Sequence, residues 1–552
     1  MTSATNAISD SAVSLRSGFT NATTLPRNHG STLCIPSWTA TSELVGLNQA
    51  EFAAAQLDVQ GMPLARLRDW TRSVLLNEAA RYTSSLLGSD VSIGTTEPLI
   101  VTGHQPEFFH AGVWAKNFAA AGLARLHGGT ALNLIVDNDT LDDTRLRVPV
   151  GPVAAPHIER IPIDADRNSQ PWEDATIVDR ASFCEFGSRV SALVRESWSY
   201  EPLLARCWPA AVRQSEVSNR LCDVLTAARV ASEREHGLVN LELPMSRACE
   251  TEPFRWFAAH LLAHLPRVHS LYNTAVRQYR LAHRLRNNTH PVPDLETRDG
   301  WLEAPFWLWR SGDLHRDRPF VRRVGSELEL CDGQEVLARW TQSEAGSADV
   351  TAAILAQLSQ RGIRLRTRAL TTTLFVRLCL ADLFIHGIGG AKYDEITDRL
   401  FEQLFNVTAP RFATVSATFH LPQGGPSLTS IHDERRLRQQ LRDLRYNPDR
   451  YIAVTPKSTE ASLVEEKQGL LASLRTRRPT ALETRRIEQI NAALVASTTL
   501  IEQQLQSECD AMRRHRATDL IRQDREFAWC LHPEGQLPQK LLAAFGGNDS
   551  DV

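Results

Sequence analysis

The chain has 552 residues, a hydrophobic fraction of 42% and a formal net charge of −3. This length exceeds what one hydrophobic core supports, so two or more folding units are expected. The balance of 61 basic and 64 acidic residues argues against a protein that binds nucleic acid over a broad basic surface. No apolar stretch reaches the length of a bilayer-spanning helix, so no membrane association is expected.

Nine cysteines are scattered along the chain, and none forms a C-x-x-C pair. This spacing excludes the common zinc-ribbon sites and predicts no disulfide framework, so neither a metal centre nor an oxidising compartment is expected. The first thirty residues are rich in Ser, Thr, Asn and Ala and lack the features of a secretory signal. They are predicted to be a flexible tail (1–30), and the protein is predicted to be cytoplasmic.

Residues 31–95 are predicted to be an N-terminal accessory helical segment, since apolar side chains recur there at helical spacing. A βαβ unit follows. Pro98–Val101 is a short apolar run typical of a buried parallel strand, and Pro106 predicts a helix that reaches about Arg125 before two glycines stop it. A second apolar run near 132–136 then predicts a parallel neighbour for the strand near 98–102. The fold class is therefore α/β, with a core over 96–430.

The first candidate site is Gly103-His104-Gln105, directly after the first strand. Ligands of open parallel sheets bind outside the carboxyl ends of the strands, so His104 and Gln105 are predicted to be catalytic, with Gly103 beside the substrate. The alternative is that His104 only hydrogen-bonds the turn.

On the predicted helix, His110 and Asn117 share one face and point to the same crevice, as a catalytic and a substrate-binding residue. In the alternative reading, His110 packs against Trp114. Lys116 falls on a different face of the helix, where a solvated side chain is expected.

The second candidate site is Asp137-Asn138-Asp139, at the end of the second strand. Such side chains can bind hydroxyls, an amine or a hydrated magnesium ion, so Asp137 and Asp139 are predicted to be catalytic and Asn138 substrate-binding. The same residue types also favour turns and helix N-caps without any further role.

The third candidate site is a glycine-rich turn between an apolar run and a helix predicted from about Tyr393. Its backbone N–H groups could bind an anion, and Lys392 could neutralise a carboxylate or phosphate. Alternatively, the glycines only permit close packing of helix and strand. The candidate substrate-binding residues are His386, Gly387, Gly389, Gly390, Lys392, Tyr393 and Asp394.

Two further patterns complete the chain. A β-meander is predicted near 305–335, with strands at Phe306–Trp309, Phe320–Val324 and Leu328–Cys331. Residues 431–515 are predicted to be an antiparallel helical arm, whose last long helix begins at a capping box, Thr480 to Glu483. Its coiled-coil-like seam, which could join two copies of the chain, consists of Ile487, Ile490, Leu494, Ile501 and Leu505.

In this order, the patches resemble the cysteine-adding enzymes of bacillithiol biosynthesis. VTGHQP is similar to their T-G-Q-Q-like turn, although His104 stands where the family usually has Gln; IVDND and HGIGGAKYD are similar to two further core turns. Asp524–Lys540 looks like the ending of that family. Over residues 96–546 the resemblance implies a Rossmann-like parallel-sheet core with inserted segments, a C-terminal antiparallel helical coiled-coil arm, and a final segment (516–552) that returns to the core.

The resemblance implies a ligase that joins the carboxyl group of cysteine to the amine of glucosaminyl-malate, so the expected partners are cysteine and an amino-sugar conjugate, within a homodimer. Activation of a carboxyl group makes ATP with Mg²⁺ the candidate cofactor, but no nucleotide-binding signature is visible and the cofactor stays open. Two alternatives remain: a nucleotidylyltransferase-like enzyme, and a non-catalytic dimeric scaffold.

Overall fold

A computed structural model describes residues 25–167, 169–287, 289, 291–341, 346–422, 431–452, 455 and 457–546. Residues 1–24 of the predicted flexible tail and residues 547–552 of the predicted C-terminal segment lie outside the described residues. Within the described ranges, no helix is both long enough and apolar enough to cross a membrane.

The strands of the described residues, in chain order, are β1 (Ser31–Ile35), β2 (Leu99–His104), β3 (Thr130–Ile135), β4 (Thr140–Leu141), β5 (Arg145–Val150), β6 (His157–Pro162), β7 (Gln170–Pro171), β8 (Leu241–Pro244), β9 (Thr297–Arg298), β10 (Trp301–Glu303), β11 (Phe306–Arg310), β12 (Phe320–Val324), β13 (Glu327–Cys331), β14 (Val336–Thr341), β15 (Ile363–Thr367), β16 (Leu383–His386) and β17 (Phe412–Thr418).

The α-helices are α1 (Trp38–Ala54), α2 (Leu64–Leu87), α3 (Ala111–Leu126), α4 (Arg180–Trp198), α5 (Leu204–Gln214), α6 (Leu221–Glu235), α7 (Met245–Cys249), α8 (Glu252–Ala263), α9 (Leu265–Ala282), α10 (Asp349–Gln360), α11 (Ala369–Cys379), α12 (Ile388–Leu400), α13 (Ile431–Tyr446), α14 (Thr459–Ser473), α15 (Ala481–Val495), α16 (Thr499–Arg522) and α17 (Leu537–Phe545).

The central sheet has the strand order β1-β17-β16-β2-β3-β8. Strands β17, β16, β2, β3 and β8 run parallel, and β1 pairs with β17 in the antiparallel sense. The predicted pairing of the first two core strands is confirmed, with Leu99 opposite Thr130 and His104 opposite Ile135. The segment predicted to be accessory thus contributes an edge strand, β1, to the core sheet.

Hydrophobic cores cover both faces of this sheet. In β2 the fully buried side chains of Leu99 and Val101 join the core that contains α2, α8 and α11, whereas Ile100 joins the core that contains α3 to α6. Successive residues of a strand point to opposite faces, so an unbroken apolar run indicates a strand that is buried on both sides. This explains why the short run at 98–101 has no polar alternation.

The first core helix begins at Ala111, not at Pro106 as the proline predicted, and ends at Leu126, close to the predicted end. Residues 105–110 form no helix: the chain bends at 106–107 and His110 is extended. The N–H of Trp529 donates to the Phe109 carbonyl over 2.9 Å, and His110 bridges to Ala528. A C-terminal strand-like contact therefore satisfies backbone groups that a helix would otherwise use.

The predicted β-meander is a five-stranded antiparallel sheet in the order β14-β13-β12-β10-β9. The strand predicted at Phe306–Trp309 forms as β11 but does not belong to it. It pairs with β15, with Phe306 opposite Thr367, because the chain returns there after α10. Sequence periodicity marks a strand but not its distant partner.

The C-terminal helical region (431–522) differs from the predicted arm. The capping box at Thr480 and Glu483 is confirmed, but the long helix that it starts ends at Val495, and a 3-10 turn at Ala496–Thr498 separates it from α16. Helix α13 packs against α15 and α16, and α14 against α15. Of the predicted seam, Ile490 and Leu494 are fully buried and the other three residues are half-buried, so one continuous coiled-coil seam is not seen.

Candidate functional site

The strand order places a topological switch between β2 and β16. From β2 the chain adds β3 and then β8 on one side, and later adds β16 and β17 on the other side. Connections that leave two adjacent strands in opposite directions open a crevice at their carboxyl ends, where ligands of such folds bind. Gly103 and His104 end β2, and His386 ends β16, so the first and third candidate sites meet at this point.

Lys116 lies at this crevice, and the expectation of a solvated side chain is wrong. Only 3% of the residue is exposed, and its ammonium group donates a hydrogen bond to the Gly103 carbonyl over 2.6 Å. A Cβ atom on Gly387 would lie 3.9 Å from Lys116 Cδ. Lys116 therefore lies between the ends of β2 and β16.

The charge of Lys116 is poorly compensated. Within the described part of the chain it forms no ion pair and no hydrogen bond other than that to Gly103, although an ammonium group has three donors. Burial, together with repulsion from Arg229, lowers the pKa of Lys116 to about 7. A substantial fraction of Lys116 is therefore the neutral amine near neutral pH, as a general base requires.

His104 is half-buried beside Lys116. Its Nδ1 atom is buried, lies 3.9 Å from Glu107 Oε1 and has no hydrogen-bond partner among the described residues. Burial and the Lys116 ammonium lower the pKa of His104 to about 3, so the ring is neutral at physiological pH. The preceding Gly103 has a packing role, because a Cβ there would lie 2.8 Å from the Leu134 carbonyl oxygen.

His110 caps α3 and does not lie on its side. Its Nδ1 accepts a hydrogen bond from the Gly112 N–H over 3.0 Å, and its Nε2 lies 3.5 Å from Glu526 Oε2. Burial and the nearby Arg525 lower the pKa of His110 to about 4. His110 is thus the N-cap of α3, one residue before the helix that carries Asn117 begins.

Arg525 is a residue of this region that the sequence reasoning did not single out. It donates to Thr418 Oγ1 over 3.1 Å and to Ser416 Oγ over 3.2 Å, which fixes it at the carboxyl end of β17. Its guanidinium also approaches His110 Nδ1 at 3.4 Å. The only available signal was the similarity of Asp524–Lys540 to a family ending, because no local pattern predicts a contact across 415 residues.

The residues after β3 form a neighbouring hydrogen-bonded cluster. Asp137 is fully buried and accepts hydrogen bonds from the Ser246 N–H and hydroxyl, while Arg220 lies 3.4 Å from Asp137 Oδ2. Burial and the carboxylate of Glu173 raise the pKa of Asp137 to about 6. Asn138 donates to the Thr367 carbonyl over 2.8 Å, which ties β3 to β15.

Asp139 connects this cluster to the first candidate site. It accepts a hydrogen bond from Gln105 Nε2 over 2.9 Å and pairs with Arg316 at 3.1 Å. Because protein donors occupy the oxygens of both Asp137 and Asp139, their arrangement does not fit a magnesium ion, which needs free oxygen ligands. Across the described residues, no three His, Cys, Asp or Glu side chains are grouped to hold a metal.

The glycine-rich segment begins its helix earlier than predicted. Helix α12 starts at Ile388, so Gly387 is the N-cap and Gly389 and Gly390 belong to the first turn. The expected exposed loop is therefore a helix N-terminus at the switch point, where backbone N–H groups still face outward. Lys392 is exposed and Tyr393 half-buried in the same helix.

Three predicted binding residues, His386, Asp394 and Asn117, take part in buried networks. Asp394 is 1% exposed and accepts a hydrogen bond from His386 Nε2 at 2.8 Å, with Arg377 as a second partner. Burial alone would raise the pKa of Asp394, but Arg377 and His386 hold it well below its usual range. Asn117 donates to Glu233 over 2.6 Å, inside an ion-pair network with Arg229.

The structure therefore brings Gly103, His104, Lys116, His386 and Gly387 together at one crevice. Neither the known protein-family models nor the curated proteins contain a match to this chain.

Proposed function

We propose that this chain is an amide-forming ligase that joins the carboxyl group of cysteine to the amine of an amino-sugar conjugate such as glucosaminyl-malate. The observation that carries the proposal is Lys116, a buried lysine with little compensation at a topological switch point. The substrates of the proposed ligase follow from the resemblance of the VTGHQP, IVDND and HGIGGAKYD patches to cysteine-adding enzymes. Its proposed cytoplasmic location follows from the free cysteines.

Amide formation needs a neutral amine, because an ammonium has no electron pair with which to attack. With a pKa of about 7, Lys116 can accept the proton that the attacking nitrogen loses. The new C–N bond forms as the bond from the carbonyl carbon to its leaving group breaks. A nucleoside triphosphate would supply that leaving group by activating the carboxyl group.

The groups around Lys116 would stabilise the negative charge that develops on the substrate's carbonyl oxygen during the reaction. The N-termini of α3 and α12 lie a few residues beyond the ends of β2 and β16, and helix N-termini stabilise anions. His104, neutral and half-buried, offers a ring nitrogen to a substrate without adding charge. Helix N-termini that stabilise an anion and a proton acceptor on α3, all near the ends of two adjacent strands, fit an acyl-transfer site.

The test is product formation by purified protein given cysteine and glucosaminyl-malate, with and without ATP and magnesium, followed by mass spectrometry. Lys116→Met is expected to lower the rate by roughly 100-fold or more, the usual contribution of a general base. The rate of the wild type should rise as the pH passes about 7 and Lys116 loses its proton.

Lys467 offers a matched control, because it is another buried lysine but lies in the C-terminal helical region, where it pairs with Asp449. Lys467→Met should leave the rate per folded molecule unchanged. Failure of the wild type to form the amide under every condition would reject the ligase. Pyrophosphate release without amide would point to a nucleotidylyltransferase, and full activity of Lys116→Met would reject the role of Lys116.

We also propose that the C-terminal helical region is an antiparallel coiled-coil arm through which two copies of the chain form a homodimer. Leu482 and Leu500 are 81% and 82% exposed there, and the neighbouring seam residues Ile487 and Ile501 are only half-buried. Exposed apolar residues flanking a half-buried seam are typical of a helical interface.

A further inference from the structure

A second pocket, of about 670 Å³, lies next to the Asp137 cluster, on the β8 side of the sheet edge. Five arginines and three glutamates contribute to its lining, together with Ser246, which follows β8. Glu173 lies in the same lining and donates its backbone N–H to the Asp137 carbonyl over 2.7 Å. The pocket therefore belongs to the carboxyl edge of the sheet but not to the crevice at Lys116.

Two of the arginines build the pocket wall. Arg366 is nearly fully buried and pairs with Glu173 at 2.8 Å and with Glu250 at 2.8 Å. Arg364 pairs with Glu173 at 2.7 Å. Their donors are directed to carboxylates of the chain, so they are needed for the structure and are not free to bind a ligand.

Arg220 is different. Its side chain is 28% exposed, and its one hydrogen bond to a carboxylate, from Nη2 to Asp137 Oδ2, is long at 3.4 Å. Its Nε is buried and has no hydrogen-bond partner among the described residues. A guanidinium has five N–H donors in a planar fork, so most of the hydrogen-bonding capacity of Arg220 is unused.

Arg247 is held in place beside it. Its side chain is 37% exposed, donates to Glu78 Oε1 over 2.9 Å, and has its guanidinium carbon 4.8 Å from the centre of the Tyr82 ring. Stacking on an aromatic ring fixes the plane of a guanidinium while leaving its outer N–H groups available. Among the described residues, Arg220 and Arg247 thus have donors that protein groups do not fully use. The same holds for Arg81, which is 73% exposed and pairs with Glu78 at 2.6 Å at the rim of the pocket.

We propose that this pocket binds an oxyanion group of a small-molecule ligand, a carboxylate or a phosphoryl group, through Arg220 and Arg247. Planar guanidinium groups match the paired oxygens of both anions and bind them through charge-assisted hydrogen bonds. The site goes beyond the proposed ligase, since anion binding here does not depend on the reaction at Lys116. The distance between the two sites is about two strand spacings, or roughly 10 Å.

The experiment is isothermal titration of the full chain, at low salt, with inorganic phosphate in one arm and succinate in the other. Saturable binding is expected, and Arg220→Gln and Arg247→Gln should each weaken it by roughly tenfold, the loss of one charge-assisted contact. Glu78→Gln should strengthen binding, because it removes a carboxylate that competes for Arg247. Preference for phosphate or succinate identifies the ligand as phosphorylated or carboxylated.

Arg206→Gln is the control, because Arg206 is a partly exposed arginine that pairs with Glu235 and Glu534 outside this pocket. The affinity of this variant for both anions should equal that of the wild type. Arg220→Gln leaves the buried Asp137 without its cation, so Arg247→Gln and Glu78→Gln decide the result if that variant does not fold. The proposal is overturned if the wild type binds neither anion, or if Arg247→Gln binds as tightly as the wild type.

Discussion

The ammonium group of Lys116 and the carbonyl oxygen of Gly103 lie 2.6 Å apart, and this contact joins the end of β2 to the helix that follows it. The lysine is thereby held inside the protein, where a charged ammonium loses the hydration that it has in the unfolded chain. Its protonation and the stability of the fold must therefore depend on each other.

Stability should rise with pH because of Lys116. The folded protein releases the proton of Lys116 at about pH 7, whereas the unfolded chain keeps it up to its ordinary pKa of 10.5. Between these values the unfolded state binds more protons, so the free energy of unfolding increases with pH by at most about 1.4 kcal/mol per unit. Below pH 7 the folded protein carries the full free-energy cost of burying the charged Lys116, and above pH 7 this cost is removed as Lys116 loses its proton.

Urea unfolding of the wild type and Lys116→Met between pH 6 and 9.5 measures this effect. The variant lacks the titrating group. Its free energy of unfolding should therefore exceed that of the wild type by the largest margin at pH 6, and this margin should decrease as the pH rises. Parallel stability curves for the two proteins would show that Lys116 is not buried as a titrating amine.

Local patterns predicted β2, β3 and the end of α3, but not the residues that complete the site. The apolar run at Leu99–Val101 and the glycines after α3 are short-range signals. The start of α3 was missed because Phe109 pairs with Trp529, a contact across the whole chain. Lys116 was assigned to a solvated face because helical spacing cannot show that Gly387, which follows β16, lies next to it.

The buried ion pair of Asp394 and Arg377 should be important for stability. Among the described residues, Asp394→Ala leaves the guanidinium of Arg377, 1% exposed, with only the partly buried Asp398 as a carboxylate partner. It also removes the partner of His386. Loss of one partner of a buried pair typically costs about 3–5 kcal/mol. Urea unfolding should show this loss.

A double variant tests whether the pair itself is responsible. Arg377→Met combined with Asp394→Ala removes both charges, so it should be less destabilised than the sum of the two single variants. Additive losses would indicate that Asp394 and Arg377 contribute independently, through packing.

The proposed homodimer can be separated from folding of the C-terminal helical region. Leu494 is fully buried within the chain, whereas Ile501 is half-buried. Leu494→Glu should therefore unfold helices of that region, as seen by circular dichroism, whereas Ile501→Glu should keep them and convert a dimer to a monomer in sedimentation. A folded wild type that already sediments as a monomer contradicts the dimer.

Two glycines at equivalent positions test the contact between α3 and the C-terminal segment. Gly112 and Gly389 are each the second residue of a helix that follows a core strand. A Cβ on Gly112 would lie 2.5 Å from Arg525 Nη2 and 2.6 Å from the Ala417 carbonyl oxygen, whereas a Cβ on Gly389 has nothing within 4 Å. Because backbone cannot yield as a flexible side chain does, Gly112→Ala must displace Arg525, α3 or β17.

We therefore expect Gly112→Ala to lower stability by about 1–3 kcal/mol, the usual cost of overpacking, and to loosen the segment around Arg525. Hydrogen exchange at Trp529, whose N–H donates to Phe109, should become faster. Gly389→Ala should be neutral or stabilising by up to about 1 kcal/mol, since alanine has the higher helix propensity. Equal stability of both variants would mean that Arg525 does not pack against the N-terminus of α3. The assignment of Arg525 to the candidate functional site would then be rejected.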